Sequence, residues 1–260
     1  MSNKNKHIDD DSQVHVDFGF KRVQKHTKSP LVRELFDSVA PRYDLMNDLM
    51  SLGLHRQWKH TMVRKLRLRK NMTVIDVASG TGDISTLIAA QTEKKGIRCK
   101  IIAADITESM LRIGHDRSID RGFLDGIFCV VADGSCLPIE GRTIDAYTIA
   151  FGMRNITDLG AALTEAYRVL RPGGQFLCLE FGHVHPTFRQ IYDLYSFRIL
   201  PLTGRIFGKN EDAYRYLVES IRKFPRQQDF TALCAKVGFS NLTYTNLLGG
   251  IVTIYSAWRL

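Results

Sequence analysis

The chain has 260 residues, of which 44% are hydrophobic and 24% are charged, and its formal net charge is +9. This length suits one large α/β domain, and the composition is that of a globular protein and not of a disordered one. No stretch reaches the roughly 18 consecutive apolar residues of a membrane-spanning helix, and the start lacks the apolar core of a signal peptide. Five cysteines without a C-x-x-C pair favour a reduced protein. We therefore expect a cytoplasmic location.

The beginning of the chain is polar and then becomes helical. Residues 1–28 carry a charge block with little periodicity, so we interpret them as a mobile tail before a single domain at 29–260. Helical spacing begins at Pro30 and is broken by Pro41. It resumes from Tyr43 to about Leu66, with an interruption near Gly53. Residues 29–70 are thus a helical segment that precedes the rest of the domain.

Positive charge is concentrated between Arg56 and Lys70, where seven residues are Lys or Arg. Such a stretch can attach to nucleic acid or to an anionic membrane surface. A solvated helix face followed by a basic loop explains the same pattern. The sequence leaves both interpretations open.

Short apolar runs then alternate with amphipathic helices. The predicted strands are 73–78, 100–105, 126–133, 144–151 and 175–181, and the "RPGG" turn precedes the last of them. This alternation is typical of βαβ units, so it predicts a mostly parallel, Rossmann-like sheet with helices on both faces. Ligands of such sheets bind at the carboxyl ends of the strands.

The last part of the chain adds a helical insertion and a hairpin. Residues 183–225 are rich in aromatics, namely Phe188, Tyr192, Tyr195, Phe197 and Phe207, which either line an apolar groove on the substrate side or pack in the core. Two β-rich halves around Gly249 and Gly250 predict an antiparallel hairpin. With this hairpin the predicted sheet has seven strands.

Three of the predicted strand ends carry residues suited to a nucleoside ligand. Gly80 and Gly82 follow the first strand, where glycines let a ligand approach the backbone. Asp105 ends the second strand, where a carboxylate accepts hydrogen bonds from ribose hydroxyls. Asp133 ends the third strand, where a carboxylate can meet an adenine amino group. Each Asp has an alternative role as the cap of a following helix.

These motifs resemble those of known methyltransferases. The stretches "DVASGTGD", "VADGSCLP" and "YRVLRPGG" are similar to class I adenosyl-methionine-dependent methyltransferases. The blocks "LFDSVAPRYDLMNDLMSLGLHRQWK" and "AFGMRNITD" resemble the ubiquinone/menaquinone biosynthesis C-methyltransferase family, from about Val32 to the C-terminus. That family methylates a ring carbon of a polyprenyl benzoquinol (2-methoxy-6-polyprenyl-1,4-benzoquinol), and in some members demethylmenaquinol.

The resemblance implies S-adenosyl-L-methionine as cofactor and a membrane-derived quinol as substrate. The positions that match the family's cofactor contacts are Thr81, Asp105, Asp133, Gly134 and Ala150, beside Gly80 and Gly82 of the loop. Many members carry Ser where this chain has Ala150, so any contact there comes from the backbone. Peripheral contact with the inner face of the membrane, a quinone-biosynthesis complex and a homodimer are further expectations.

The stretch "FGMRN" at the end of the fourth strand is the candidate for catalysis. A quinol carbon becomes nucleophilic when the phenol ionises, and Arg154 is a permanent cation that would stabilise the phenolate or orient a water. Asn155 would bond the quinol oxygen or the amino-acid end of the cofactor. Alternatively, Arg154 forms an exposed salt bridge and Asn155 is a turn residue. Tyr43, with Asp44 and Asn47, forms either a lid or part of a packed helix.

Other functions fit the sequence less well. Methyltransferases of exocyclic base amines share a D/N-P-P-Y/F block where this chain reads "AFGMRN", so we expect no nucleic-acid partner. The third glycine of a dinucleotide fingerprint is replaced by Ser85, which disfavours an NAD enzyme. A basic adaptor with an inactive fold would not need the set of strand-end residues. His183 and His185 lack accompanying ligands, so no metal site is predicted.

Overall fold

The computed structural model describes residues 14–184 and 211–260. The aromatic residues predicted to line a groove (Phe188, Tyr192, Tyr195, Phe197 and Phe207) lie outside this part, as do His185 and the first thirteen residues of the predicted tail. Of the predicted insertion at 183–225, the described part is its start at His183–Val184 and its end from Glu211.

The described elements alternate as predicted from the sequence. The strands are β1 (His15–Phe18), β2 (Lys21–Gln24), β3 (Thr73–Val77), β4 (Lys100–Asp105), β5 (Ile127–Val131), β6 (Ile144–Ala150), β7 (Leu170–Phe181), β8 (Ser240–Leu247) and β9 (Val252–Arg259). The helices are α1 (Lys25–Val39), α2 (Tyr43–Ser51), α3 (Leu54–Arg64), α4 (Asp83–Lys94), α5 (Glu108–Asp120), α6 (Leu159–Val169), α7 (Glu211–Lys223) and α8 (Gln227–Val237).

The main sheet has seven strands in the order β5-β4-β3-β6-β7-β9-β8. All neighbours pair in parallel except β9, which is antiparallel to both β7 and β8. The predicted fold class is confirmed, including the antiparallel C-terminal hairpin. The chain order reverses beside β3, because β4 lies on one side of it and β6 on the other. This reversal opens the crevice in which ligands of such sheets bind.

Helices cover both faces of the sheet because alternate strand residues point to opposite sides. On one face, Trp58 and Met62 of α3 and Ile88 of α4 pack against strand residues such as Val74 and Leu177. On the other face, α6 and α8 pack against the intervening strand residues, with Leu163, Phe230, Tyr147 and Phe176 among the buried side chains.

The N-terminal segment differs from the predicted tail. From Val14 onward it is ordered into a β1–β2 hairpin, and α1 begins at Lys25, before Pro30. The hairpin has a packing partner that local sequence does not reveal. The ring of Phe18 stacks on Tyr216 of α7 at a centroid distance of 4.5 Å, and Lys223 pairs with Asp17 at 3.3 Å.

The "RPGG" segment also differs from its prediction as a turn. It lies inside β7, which begins at Leu170 and extends through Phe181. The pairing with β6 shifts register between Ile144 and Ala146, and Gly173 has φ +78°. Gly173 therefore supplies the left-handed backbone of an irregularity in β7, as β-bulges commonly require. Within the described part of the chain, no helix is long and apolar enough to cross a bilayer.

Candidate active site

A cavity of about 80 Å³ lies at the carboxyl ends of β3, β4 and β6. Seven of the predicted site residues line it: Tyr43, Gly80, Asp105, Asp133, Gly134, Ala150 and Asn155. Three other predicted residues, Thr81, Gly82 and Arg154, are not part of its lining. Residues from several distant stretches of the chain therefore meet around one space at the edge where this fold binds ligands.

Asp105, at the end of β4, joins two loops. Its Oδ2 accepts the backbone N–H of Gly80 and its Oδ1 accepts that of Thr107, each at 2.8 Å. Burial raises the pKa of Asp105, although these hydrogen bonds act in the opposite direction. A carboxylate offers about four lone-pair positions, so each oxygen can accept a further hydrogen bond from a ligand hydroxyl.

The glycine loop after β3 has left-handed backbone and is approached closely by α5. φ is +50° at Ala78, +53° at Gly80 and +77° at Gly82, which caps α4. A Cβ at Gly114 of α5 would lie 3.0 Å from the carbonyl carbon of Thr81. Gly114 thus lets α5 pack directly on the loop backbone. We did not predict this residue, because its role depends on a contact between distant segments.

Asp76 lies inside β3, where a carboxyl group needs partners. Its Oδ2 accepts the Ser85 hydroxyl at 2.8 Å and its Oδ1 accepts the Thr148 hydroxyl at 3.0 Å. Complete burial raises the pKa of Asp76 to about 7 despite these hydrogen bonds. Asp76 therefore links β3 to α4 and β6 and does not line the cavity.

Asp133 and Gly134 follow β5 and form another part of the cavity wall. Asp133 Oδ1 accepts the N–H and the hydroxyl of Ser135 at 2.8 and 2.6 Å, so the residue does stabilise its own turn. Its Oδ2 accepts the Ser29 hydroxyl of α1 at 3.5 Å. A Cβ at Gly134 would lie 2.9 Å from the Ile156 side chain, which also lines the cavity. A larger residue at 134 would therefore narrow this space.

The end of β6 is strained and touches the end of β3. Phe151 has φ +57°, which is uncommon for a bulky residue. A Cβ at Gly152 would lie 2.3 Å from the Cβ of Ala78, so only glycine fits there. Backbone strain of this kind tends to occur at functional sites, where the surrounding structure holds it in place. A 3₁₀ turn, Met153–Asn155, follows immediately.

The orientation of Asn155 is set by α7. The Tyr216 hydroxyl donates to Asn155 Oδ1 at 3.1 Å. Burial raises the pKa of Tyr216 to about 12, so it remains a protonated donor at neutral pH. Tyr216 occupies Oδ1, and one N–H of the Asn155 amide donates to the Phe151 carbonyl oxygen at 3.5 Å. The second N–H is left to donate into the cavity. Tyr216 was not predicted, since it lies 61 residues beyond Asn155.

Arg154 points away from the cavity and is buried in an ion pair. Its Nη1 lies 2.7 Å from Glu180 Oε1, and its backbone N–H donates to Glu180 Oε2 at 3.2 Å. The side chains of Arg154 and Glu180 are 5% and 0% exposed. The sequence predicted either a cation facing the ligand or an exposed salt bridge, and this geometry is neither. Glu180 neutralises the guanidinium because β6 and β7 are neighbours in the sheet.

Helices α1 and α2 cover the cavity. Val32 and Phe36 of α1 line it one helical turn apart, and the Phe36 ring lies 6.1 Å from that of Tyr43. Asp44 accepts the Thr81 hydroxyl at 3.2 Å and pairs with Arg117 of α5. These contacts connect the helical segment to the glycine loop, while Asn47 is not part of the cavity lining.

His and Cys residues show no metal-binding arrangement in the described ranges, where no group of three His, Cys, Asp or Glu side chains could hold an ion. His183 Nε2 is 2.9 Å from the Phe224 carbonyl oxygen. All five cysteines are free thiols, with Cys178 and Cys234 buried.

The comparison with known families identifies the group to which this arrangement belongs. The sequence model of the ubiE/COQ5 methyltransferase family matches residues 21–259. The chain belongs to this family. It is 49% identical to the ubiquinone/menaquinone biosynthesis C-methyltransferase UbiE of Brucella abortus (strain S19) over 246 residues, which are 94% of this chain and 90% of the relative. The Brucella anthropi protein of the same description is 47% identical, over 94% of this chain and 92% of the relative.

Solved structures of more distant methyltransferases share the fold of this family member. A SAM-dependent methyltransferase of Thermotoga maritima superimposes with a TM-score of 0.58 at 17% identity, covering 88% of this chain and 100% of that one. Phosphoethanolamine N-methyltransferase 2 of Haemonchus contortus, in complex with S-adenosyl-L-methionine, gives a TM-score of 0.55 at 13% identity, with 78% and 52% covered. The predicted family and the predicted enzyme class, a methyltransferase, are confirmed.

The basic stretch of this family member is divided between two ends of the sheet. Because α3 runs antiparallel to β3, Arg56 and Lys59 lie toward the cavity edge, and each is paired: Arg56 with Asp48, and Lys59 with Asp83 at 2.6 Å. The basic residues at 64–70 come directly before β3 and so lie at the amino edge of the sheet. A membrane attached there would face the end opposite the cavity.

Proposed function

We propose that the chain transfers a methyl group from S-adenosyl-L-methionine to a ring carbon of a quinol. The substrate is a polyprenyl benzoquinol in ubiquinone biosynthesis, demethylmenaquinol in menaquinone biosynthesis, or both. The observation that supports this most strongly is the single cavity that collects seven predicted site residues from separate parts of the chain. The family membership and the names of the Brucella relatives point to the same reaction.

The residues around the cavity fit the cofactor. Asp105 retains acceptor positions for ribose hydroxyls, and Asp133 offers a carboxylate at the next strand end. The loop at Gly80 and the backbone at Ala150 allow close approach, whereas Thr81 and Gly82 shape the loop without lining the cavity. S-Adenosyl-L-methionine, when bound, supplies an electrophilic sulfonium methyl group.

The protein's own task is to orient the quinol and favour its ionised form. We assign the contact with the phenol oxygen to Asn155, whose NH₂ group has one N–H left to donate into the cavity beside its bond to the Phe151 carbonyl oxygen. A hydrogen bond aimed at developing negative charge is worth most in a site that excludes water. The hydroxyl of Tyr43 has no hydrogen-bond partner among the described residues, so it is free to contact the ring or the cofactor from the opposite wall.

Arg154 has a positioning role in this scheme. Its guanidinium and its backbone N–H both hold Glu180, and these bonds fix the turn that carries Asn155. Arg154 would then affect turnover through the placement of Asn155 and not through direct contact with the phenolate. Small displacements of a positioned group are sufficient to slow a reaction strongly.

The proposal also includes contact with a membrane and assembly with other chains. A polyprenyl quinol resides in the bilayer, so peripheral contact with the inner face of an anionic membrane would bring the enzyme to it. The position of the cavity favours a contact at the carboxyl edge of the sheet. Assembly as a homodimer or within a quinone-biosynthesis complex remains part of this proposal.

A methyl-transfer assay tests the proposal directly. The full-length protein is incubated with radiolabelled S-adenosyl-L-methionine and reduced demethylated benzoquinol, naphthoquinol or a mixed oligonucleotide pool, side by side. We expect label on one or both quinols and none on the oligonucleotides. An Asn155→Leu variant should lose turnover while it retains cofactor binding by calorimetry. Label on nucleic acid with unlabelled quinols would overturn the proposal.

A further inference from the structure

A second cavity, of about 570 Å³, lies beside the cofactor cavity and has a different character. It is lined by the β1–β2 hairpin, α1, the segment after β6 and the end of α7. The family motifs do not account for it, because its outer wall is the hairpin that the sequence predicted to be a mobile tail.

Cationic groups dominate this cavity. Arg22, Lys28, Arg154 and Lys223 line it, against the single carboxylate of Asp17. Asp17 pairs with Lys223, and Glu180 neutralises the guanidinium of Arg154 in a buried ion pair. Arg22 and Lys28 form no ion pair with a carboxylate among the described residues, although the charge of Asp17 acts on Lys28.

Lys28 is the most informative of these residues. Its side chain is buried, with 7% exposed, and its Nζ donates to the Ile156 carbonyl oxygen at 3.3 Å. An ammonium group has three donors, so two of them have no partner among the described residues. Burial lowers the pKa of Lys28, although the nearby Asp17 carboxylate acts in the opposite direction. The Nε of Arg154 is likewise buried without a hydrogen-bond partner.

We propose that this cavity binds a phosphate-type oxyanion, carried either by a phospholipid headgroup or by a soluble phosphate compound. An oxyanion would accept hydrogen bonds from the unpartnered donors of Lys28 and from the exposed guanidinium of Arg22. Charge-assisted bonds of this kind are the strong class. The hairpin also presents the exposed apolar side chains of Val14 and Phe20 next to the cavity, as a lipid boundary would require.

The test uses the full-length protein with inorganic phosphate as the probe. We expect phosphate to raise the melting temperature of the wild type and of Lys94→Met, an exposed-lysine control with the same charge change. Lys28→Met should bind phosphate about tenfold more weakly or worse, since a charge-assisted bond is lost. Arg22→Met, which alters an exposed side chain and so leaves the core intact, should also weaken binding. Cofactor titration reports whether each variant is folded.

Vesicles distinguish the two sources of the phosphate group. If the ligand is a lipid headgroup, the wild type should float with phosphatidylglycerol vesicles but not with phosphatidylcholine vesicles, and Lys28→Met should not float. If it is a soluble compound, phosphate should bind while flotation is independent of Lys28. Phosphate affinities of Lys28→Met and Arg22→Met equal to that of the wild type would overturn the proposal. The measurement involves no methyl transfer, so its outcome is separate from that of the proposed reaction.

Discussion

The hydroxyl of Tyr216 donates a hydrogen bond to Asn155 Oδ1 at 3.1 Å, and this bond joins α7 to the turn at the end of β6. The ring of Tyr216 is itself held by stacking on Phe18 of the N-terminal hairpin. An element at the start of the chain and one near its end thus determine together which face of the Asn155 amide is presented to the cavity.

Tyr216→Phe tests this relationship. Loss of the hydroxyl leaves Asn155 free to rotate its amide, so we expect kcat to fall about tenfold while the affinity for S-adenosyl-L-methionine stays within about twofold. Steady-state kinetics and calorimetry measure the two quantities. Tyr244→Phe, which changes an exposed tyrosine of β8 in the same way, is the matched control. An unchanged kcat in Tyr216→Phe would show that Asn155 does not depend on this bond.

Asp105→Asn should weaken cofactor binding by about tenfold or more. The substituted amide places its NH₂ group against the N–H donor of either Gly80 or Thr107, and the charge proposed to accept the ribose hydroxyls is lost. Calorimetric titration gives the dissociation constant. The control is Asp120→Asn, at the exposed end of α5. Equal affinities of Asp105→Asn and the wild type would refute the ribose contact.

Asp76 should make the fold less stable as pH rises. The pKa of Asp76 is about 7 in the folded state, whereas the ordinary value of 3.8 applies to the unfolded chain. Between these pH values the folded state retains a proton that the unfolded state releases. The contribution of Asp76 to the free energy of unfolding therefore decreases as the pH rises from the unfolded pKa to the folded pKa. The total decrease is roughly 4 kcal/mol at most.

The Asp76→Asn variant removes this titration. Urea unfolding at about pH 5 and about pH 8 should show the variant gaining stability relative to the wild type as pH rises. Asp145→Asn would be a poor control, because that residue has its own partners near Thr73. The exposed Asp116→Asn is a better one. Parallel pH dependence of Asp76→Asn and the wild type would argue against a raised pKa.

Arg154→Met should destabilise the protein by about 3–5 kcal/mol, because it leaves the Glu180 carboxylate buried without its partner. The double variant Arg154→Met/Glu180→Met removes both charges and should recover much of this loss. Urea denaturation measures the three free energies of unfolding. Arg112→Met breaks the exposed pair with Glu108 and should have no measurable effect. If the free energy of unfolding of Arg154→Met equals that of the wild type, the ion pair between Arg154 and Glu180 is not formed in solution.

Asp44→Asn should speed release of the cofactor by about five- to tenfold, because it weakens the bonds that tie α2 to Thr81 and Arg117. Stopped-flow displacement of bound cofactor gives the dissociation rate. Asp116→Asn on the outer face of α5 serves as the control. Identical rates for Asp44→Asn and the wild type would mean that α2 does not retain the cofactor.

Much of the fold could be predicted from the sequence because it depends on local patterns. Apolar runs of strand length and helices with one apolar face specify βαβ units in chain order, and the break at Gly53 was placed correctly, with φ +76° there. The N-terminal hairpin was missed for the opposite reason. Phe18 stacks on Tyr216, and nothing near it in the sequence indicates a partner.

The sequence by itself determined which residue types stand at the strand ends, because in a parallel sheet these ends share one edge. That rule was sufficient to place Asp105, Asp133 and Asn155 near one another. Only the tertiary structure decided what each side chain faces. Glu180 pairs with Arg154 because β7 lies beside β6, and Tyr216 reaches Asn155 because α7 docks on that turn. Strand order and helix docking join residues 26 and 61 positions apart, and local periodicity carries no information about such distant pairs.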